Sequence, residues 1–514
     1  MKNNITQWIG VASVALLSLP ASGQYAYDAL RFSEINQTGT ARFQAVGGNH
    51  TALGGDASSI NGNPAGLGFY NRSELSLSPA FTNINTQSTY IDRLTTDGKT
   101  TPNLAHASLV IAGSAQSQYR KWKRTSIGIS FSRQQSFQNV FSYSGRNNRS
   151  AYADYAVERA NNRNISAEQL DLDYDPNTQE AFTTEGAYYQ LYMINPSTAL
   201  GPPYFRYDRD RPTDQMGTFE STGANTQWTF AYAGNYDDRL YVGLSLGFNR
   251  INYNYTNTLE DRFVNGTVFR GSTHIEDLNV RGNGFNGTLG LIYKASPDLQ
   301  LGASITSPTF SSIRETFYEE VSADVIGIPT GNNQVFVPDV TRILMIPNDF
   351  DYRITSPLRA SGGATYFLGT NGFLTGSVEY VGYQGMNVRT TMLSASDNTS
   401  FRNDTRREIQ NTFKNTVNLR LGGEFRSGLF RARAGLAFLG DPYQERLDGI
   451  NRSKLLYSAG VGVRGERFFA DLTGTYNTFK SAFTPYVLNN PGDYASASIQ
   501  NRMVNAMITV GTFF

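Results

Sequence analysis

From about residue 74 onward, apolar residues alternate with small or polar ones at a period of two. Leu240, Val242, Leu244, Leu246 and Phe248 are interleaved with Tyr241, Gly243, Ser245 and Gly247. Leu299, Leu301, Ala303 and Ile305 alternate with Gln300, Gly302 and Ser304, and Phe430, Ala432, Ala434, Leu436 and Phe438 with Arg431, Arg433, Gly435 and Ala437. Leu455, Tyr457, Ala459, Val461 and Val463 enclose Leu456, Ser458, Gly460 and Gly462. Successive strand side chains point to opposite faces, so one apolar face against one small or polar face marks a half-buried strand. One template predicts strands over 74–83, 104–112, 124–132, 226–234, 239–250, 284–294, 298–306, 354–367, 371–381, 416–426, 428–438, 454–464, 466–478 and 503–514. Each is near or above the ~9–11 residues that a tilted strand needs to cross a bilayer's hydrocarbon.

The predicted connections alternate in length. Long links over 84–103, 133–225, 251–283, 307–353, 382–415, 439–453 and 479–502 are separated by short ones such as Asn235-Tyr236-Asp237-Asp238 and Arg426-Ser427-Gly428. Short turns at one end and long loops at the other are the habit of transmembrane barrels. The expected fold is therefore an all-β membrane protein, a 14-stranded antiparallel transmembrane β-barrel over 74–514. The last strand places Val504, Ala506, Ile508, Val510, Thr512 and Phe514 on one face, and a terminal aromatic resembles the signal read by the outer-membrane barrel-assembly machinery. Trp228, Tyr232, Tyr293, Tyr366, Tyr380 and Tyr476 fall towards strand ends; they read equally as an interfacial girdle or as ordinary aromatic strand preference.

The start of the chain follows other rules. Lys2, an apolar stretch Trp8 to Leu19, and Pro20-Ala21-Ser22-Gly23 form a secretory signal over 1–23, with cleavage expected after Gly23. The bland alternative, a membrane anchor, is disfavoured because the segment is short and lacks a stop-transfer flank. Residues 24–73 do not alternate and are punctuated by Gly and by Asn63-Pro64, a turn initiator. They are expected to plug the lumen, because a barrel of this size is wide enough to need filling. Composition fits: Tyr (30), Phe (32) and Gly (49) are abundant, and mean hydropathy is only −0.39 although strands face lipid. Net charge of +1 leaves no footprint for nucleic acid, and the absence of Cys removes thiol chemistry and lipoprotein anchoring.

The N-terminal segment also carries a resemblance. Gly47-Gly48, Asp56-Ala57-Ser58 and Asn63-Pro64-Ala65-Gly66-Leu67 resemble the hatch hallmark of the FadL/TodX outer-membrane transporters of long-chain fatty acids and hydrocarbons. Gly287-Thr288-Leu289-Gly290-Leu291-Ile292-Tyr293 with Ser296-Pro297-Asp298-Leu299-Gln300-Leu301-Gly302 is similar to a mid-barrel hairpin of that family. Leu421-Gly422-Gly423-Glu424-Phe425 with Arg431-Ala432-Arg433-Ala434-Gly435 is similar to a late one. The chain departs from the family where Gly55-Asp56 stands for two acidic residues, and its link 133–225 is unusually long. The resemblance implies an N-terminal hatch over 24–73 and passive uptake of a hydrophobic ligand that leaves sideways through the wall. It also implies residence in the outer membrane, against lipid and lipopolysaccharide, with no cofactor. Relatives that act as anchors or carriers for secreted proteins, or as haemin receptors, supply the rival reading.

Candidate chemistry is sparse. Arg359, Glu379, Arg420, Glu424, Arg431, Arg433 and Asp471 fall on the inferred lumen face. An Arg among them could receive a ligand carboxylate; the alternative, favoured because buried charges normally pair, is that they pin the plug. For haem, His50 and His106 are the candidates near the hatch, with His274 expected in a loop; lone His residues are more often structural than axial ligands. Three His in no recognisable motif argue against an enzyme, and no phosphate-loop spacing suggests an energy source.

Overall fold

The computed structural model describes residues 18–36, 39–114, 120–331, 334–444 and 450–514. The wall is built from β1 (Glu74–Tyr90), β2 (Arg93–Ala112), β3 (Trp122–Ser136), β4 (Asn139–Asn147), β5 (Thr213–Tyr236), β6 (Leu240–Phe263) and β7 (Phe269–Lys294). It continues through β8 (Leu299–Thr306), β9 (Phe310–Val325), β10 (Asn348–Thr355), β11 (Arg359–Phe367), β12 (Gly372–Val381) and β13 (Asn387–Thr390). The last strands are β14 (Thr416–Ser427), β15 (Phe430–Leu439), β16 (Lys454–Arg464), β17 (Phe468–Phe483) and β18 (Ala497–Phe513). Four pairs, β3/β4, β8/β9, β10/β11 and β12/β13, are lower and upper halves of single staves, giving a closed antiparallel barrel of 14. Closure runs from Glu74↔Phe513 to Thr89↔Ser498. Every predicted strand has its counterpart, and no helix among the described residues is long and apolar enough to cross a membrane.

Two expected long links are corrected. Residues 84–103 are not a loop: β1 and β2 run on to Tyr90↔Arg93, joined by Ile91 and Asp92, both at positive φ. Likewise 251–283 is mostly paired strand, with only 264–268 left over between β6 and β7. The reason is an inversion of polarity partway up the wall. In β6, Leu246 (52% exposed) and Phe248 (53%) face outward, whereas Ile251 (2%) and Tyr253 (4%) face inward. In β7, Phe285 and Leu289 face out while Leu278 and Val280 are buried inside. The register does not slip; only the chemistry of the two faces is exchanged. A strand obeys the first rule where lipid lies outside, and the second where water lies outside and apolar matter within.

The girdle candidates Trp228, Tyr232, Tyr293, Tyr366, Tyr380 and Tyr476 all project outward from the apolar band. Link 133–225 contains a folded cap over the long-loop end. It is built of helices α3 (Tyr152–Asn162), α4 (Ala167–Leu172) and α5 (Thr184–Gln190), whose core includes Tyr152, Leu170, Tyr188, Leu191 and Ile194. Inside the barrel, helix α1 (Ser18–Ser33) lies in the upper, apolar section, packed against α6 (Ala395–Thr412). Below it, residues 40–70 form a compact body around α2 (Ala41–Ala45) and two short 3-10 turns, Ala57–Ile60 and Pro64–Phe69. The expected export signal, 1–23, lies largely outside the described residues.

Candidate functional site

The lower body is knit by its own polar residues. Thr40 caps α2, accepting from the Phe43 N–H at 3.2 Å, and donates through Oγ1 to both Asp56 oxygens at 3.0 Å. Asp56 in turn caps the first 3-10 turn by accepting from the Ser58 N–H at 2.9 Å. Asn63 caps the second turn, with Pro64 pre-set at its first position. Its amide Nδ2 donates to the carbonyls of Thr51 (2.6 Å), Leu291 (3.2 Å) and Ala303 (3.2 Å), clasping the body to β7 and β8. Ala65 is fully buried, and Gly66 N–H returns to the Asn63 carbonyl at 3.0 Å. Gly47, at φ +76°, donates to Ser458 Oγ at 3.2 Å, and Gly48 donates to the Phe43 carbonyl at 3.1 Å. The wall makes room: a Cβ at Gly290 would overlap Asn63 Oδ1, and one at Gly302 would overlap the Thr51 carbonyl.

The lumen charges fall into two clusters, both paired. In the lower one, Glu424 accepts from Arg433 Nε (2.6 Å), Arg426 Nε (2.7 Å) and Arg42 Nε (3.3 Å). Arg433 also reaches Asp471 at 2.5 Å, and Arg42 reaches the Gly55 carbonyl at 2.8 Å and Asp56 at 3.7 Å. Three guanidiniums thus face three carboxylates, and Arg42 belongs to the plug. In the upper cluster, Glu379 is met by Arg420 (3.0 Å), Arg359 (3.5 Å) and Asn418 (2.9 Å), while Arg359 also donates to the Ser33 carbonyl at 2.9 Å. Arg431 stands apart; its guanidinium bends to the carbonyls of Gly428 and Phe430 at the short-turn end. Sequence reasoning missed Arg42 and Arg426, and nothing but Arg42's place inside the hatch run pointed to it.

Beside the plug, the wall loses its ladder. Pairing between β2 and β3 runs from Ala112↔Ser126 only to His106↔Ser132. Above that point the backbone ladder between β2 and the β3/β4 stave stops, and the two are rejoined only higher up and through side chains, where Asp97 accepts from the Ser142 N–H and Oγ at 2.7 Å. Pro102 sits opposite outward-facing Phe81, so the break lies within the apolar band. The free edge is taken up from inside. Asn36 N–H donates to the Gln134 carbonyl at 2.9 Å, and the Gln135 side-chain amide, oriented with its nitrogen towards the acceptors around it, donates to the carbonyls of Arg31 and Glu34 at 2.9 and 2.7 Å. His106, at the end of the ladder, is fully buried and neither ring nitrogen makes a hydrogen bond. His50 is half-buried and its Nδ1 lies 3.2 Å from the Gly48 carbonyl.

Above the plug is an apolar chamber walled by Ile251, Tyr253, Leu278, Val280, Ile313 and Ile354, and helix α1 fills it with Tyr25, Ala29, Leu30 and Phe32. Tyr25 donates to Glu315 at 2.9 Å, and Tyr352 to the other oxygen at 3.1 Å. Glu315 stands above the apolar band, and burial, with the Asp28 charge nearby, pushes its carboxyl up to about 7. At the end of the helix Glu34 pairs with Lys454 at 2.8 Å, on the rim of a small pocket, of about 20 Å³, lined also by Arg359, Tyr383, Asn418 and Arg452.

No family model matches the chain, and no curated protein matches it in sequence. Solved structures do. A FadL homologue from Pseudomonas aeruginosa superposes with a TM-score of 0.55 at 12% identity, over 93% of this chain and 99% of that one. The toluene transporter TodX from P. putida superposes with a TM-score of 0.51 at 12% identity, over 93% of this chain and 99% of that one. This chain has the FadL/TodX fold. At such identity the likeness is one of backbone architecture, and the FadL/TodX barrel is here combined with a cap and a lumen whose side chains must be read on their own terms.

Proposed function

We propose that this chain is an outer-membrane channel for passive entry of hydrophobic small molecules, with long-chain fatty acids as its ligand class. The observation that carries the reading is the unpaired stretch between β2 and the β3/β4 stave, within the apolar band and beside the plug. An apolar solute gains nothing by continuing down a polar, charge-filled lumen; a break in the wall at that depth offers it the lipid directly. The segment 31–36, bonded to the free edge at Gln134 and Gln135, is the gate that must move. We take residues 1–23 as the export signal and 24–73 as the hatch, so the gate belongs to the hatch.

The chamber supports the choice of fatty acid over hydrocarbon. Helix α1 presents Tyr25, Leu30 and Phe32 to apolar walls and is followed at once by a carboxylate, Glu34, held by Lys454. That is the chemical outline of an acyl chain with its acid group. A ligand of the same outline competes with the helix for one chamber, its carboxylate taking the place of Glu34 near Lys454 and Arg359.

The chain has no Cys, so a single engineered disulfide tests the gate without background. Asn36→Cys/Gln134→Cys, oxidised in proteoliposomes, is expected to abolish oleate uptake, with recovery on reduction and no loss in either single variant. Full uptake through the completely cross-linked protein overturns the proposed route. Normal gating with toluene but none with oleate keeps the route and overturns the ligand class.

A further inference from the structure

We propose that His274, Glu276 and Glu319 form a divalent transition-metal site that fastens the folded cap to the upper barrel wall. The three side chains converge from two strands: His274 and Glu276 lie two residues apart on the inner face of β7, and Glu319 faces inward from β9. One potential donor atom from each residue lies within 4.8 Å of the other two. His274 Nε2 is 3.0 Å from Glu319 Oε1 and 3.7 Å from Glu276 Oε1.

Two independent features point to a cation held there. First, the register sets Glu276 directly opposite Glu319, and like charges opposed across an antiparallel pair repel unless something positive lies between them. Second, His274 is 2% exposed, yet its Nε2 makes no hydrogen bond although a carboxylate oxygen is within reach. A buried nitrogen that lies within 3.7 Å of two carboxylates and yet makes no hydrogen bond is placed as a ligand atom would be.

The surroundings hold these groups as a metal site's supports do. Tyr188 Oη lies 3.5 Å from His274 Nδ1, and Tyr152 stacks on the imidazole with ring centres 4.1 Å apart. Asn257 Nδ2 donates to the second oxygen of Glu276 at 3.0 Å, and Thr184 Oγ1 donates to Glu319 at 3.1 Å. Tyr152, Thr184 and Tyr188 all belong to the cap, on α3 and α5. One nitrogen and two carboxylate oxygens suit zinc and its transition-metal neighbours, whereas calcium and magnesium prefer oxygen alone. The rival occupant is a proton: an imidazolium between two carboxylates would satisfy the same charges, and the three groups would then be a plain ion triad.

The full-length protein, purified without a histidine tag, stripped with chelator and exchanged into metal-free detergent buffer at pH 7.5, decides between them. Cobalt(II) is titrated while visible d–d absorption is followed, and zinc is titrated by calorimetry. The expected result is one equivalent bound, weakened at least about tenfold in His274→Ala and in Glu319→Gln, with zinc slowing proteolysis of the segment 148–212. Glu319→Gln keeps the shape and guards against a folding artefact, and strand content by circular dichroism must match in all three proteins. Absence of stoichiometric binding, or binding that both variants retain, overturns the proposal. With only three His in the chain, nitrogen-labelled histidine spectra of the stripped protein then report whether His274 carries the proton instead.

Discussion

Glu424 is the hub of the lower charge cluster, and Glu424→Gln is the sharpest perturbation of the contact between plug and wall. The amide keeps the shape and removes one of three negative charges facing Arg42, Arg426 and Arg433. Taking one partner from a buried ion pair ordinarily costs about 3–5 kcal/mol. Here Arg433 keeps Asp471 at 2.5 Å and Arg42 keeps the Gly55 carbonyl at 2.8 Å. The loss is therefore smaller, about 2–4 kcal/mol of plug docking. Arg42→Ala should cost less, because Glu424 retains two guanidiniums and Asp56 retains the Ser58 N–H and Thr40. The double variant should cost less than the sum, since removing Arg42 relieves the repulsion that the first change creates. Hydrogen exchange by mass spectrometry reads this directly: amides of 40–70 in Glu424→Gln should exchange roughly 30- to 1,000-fold faster, while β-strand amides hold. Unchanged plug amides in Glu424→Gln, or a larger effect of Arg42→Ala, would refute the assignment of Glu424 as the hub.

Other expectations follow from the same geometry. Asn63→Ala strips three carbonyls of their shared donor and should loosen the plug by about 1–3 kcal/mol, read as faster exchange at 40–70. Gly302→Ala overlaps the Thr51 carbonyl and should raise the conductance of single channels in planar bilayers, whereas Gly362→Ala, with open space at its Cβ, should leave it unaltered. For Glu315 the folded carboxyl, at about 7, lies above its ordinary 4.5, so the docked helix binds the proton more tightly than the released one. Docking of α1 is then strongest below pH 4.5 and weakens as pH rises through 7, by at most about 3 kcal/mol for a shift of this size. Exchange of amides 24–33, corrected for intrinsic rate, should therefore report a looser helix at pH 8 than at pH 6, and Glu315→Gln should flatten that difference.

Much of the barrel was legible because lipid imposes one rule on every strand within the band. Val504 to Val510 and Leu244 to Phe248 obey it: β6 starts at Leu240 against the expected 239 and β18 ends at Phe513 against the expected 514, although β18 begins six residues before the expected 503. What escaped was the part of the wall where lipid no longer sits outside. Ile251, Tyr253 and Tyr255 still alternate with Asn252 and Asn254, but with the apolar set inward, so a template seeking outward apolar residues passes over them. Residues 83–89 in β1 alternate only among Asn, Thr, Gln and Ser, apart from Ile84, and their tight turn at Ile91-Asp92 lacks the Asn-Gly or Gly that would announce positive φ. His274, expected in a loop, is instead a strand residue, and its meeting with Glu319 depends on a register no local pattern reveals. The pairing of Arg359, Arg420, Arg433, Glu379, Glu424 and Asp471 follows a general rule, that buried charge seeks a partner; the particular partner Arg42 does not, and Arg431, at the short-turn end, takes carbonyls instead.

The inversion of polarity also bears on how such a barrel can hold an apolar chamber without losing its solubility at the far end. In the band, apolar matter is outside, and the lumen must be filled by groups that satisfy one another; Asn63, Arg42 and Glu424 do this. Above the band, water is outside, so the strands can turn their apolar residues inward only if something apolar always occupies the space. Helix α1 is that occupant, and it is held at points, by Tyr25 on Glu315 near its start and by Glu34, just past its end, on Lys454, rather than by charge along its length. Such a tenant can be exchanged. A ligand that offers comparable apolar area and one carboxylate replaces both the burial and the Lys454 pair, so displacing the helix need cost little net free energy. Since Arg31 and Glu34 also hold the free edge at Gln135, the exchange would release the gate in the same movement. Chamber occupancy and wall opening are then one equilibrium, and oleate should speed exchange at amides 24–36 before any change appears at 40–70.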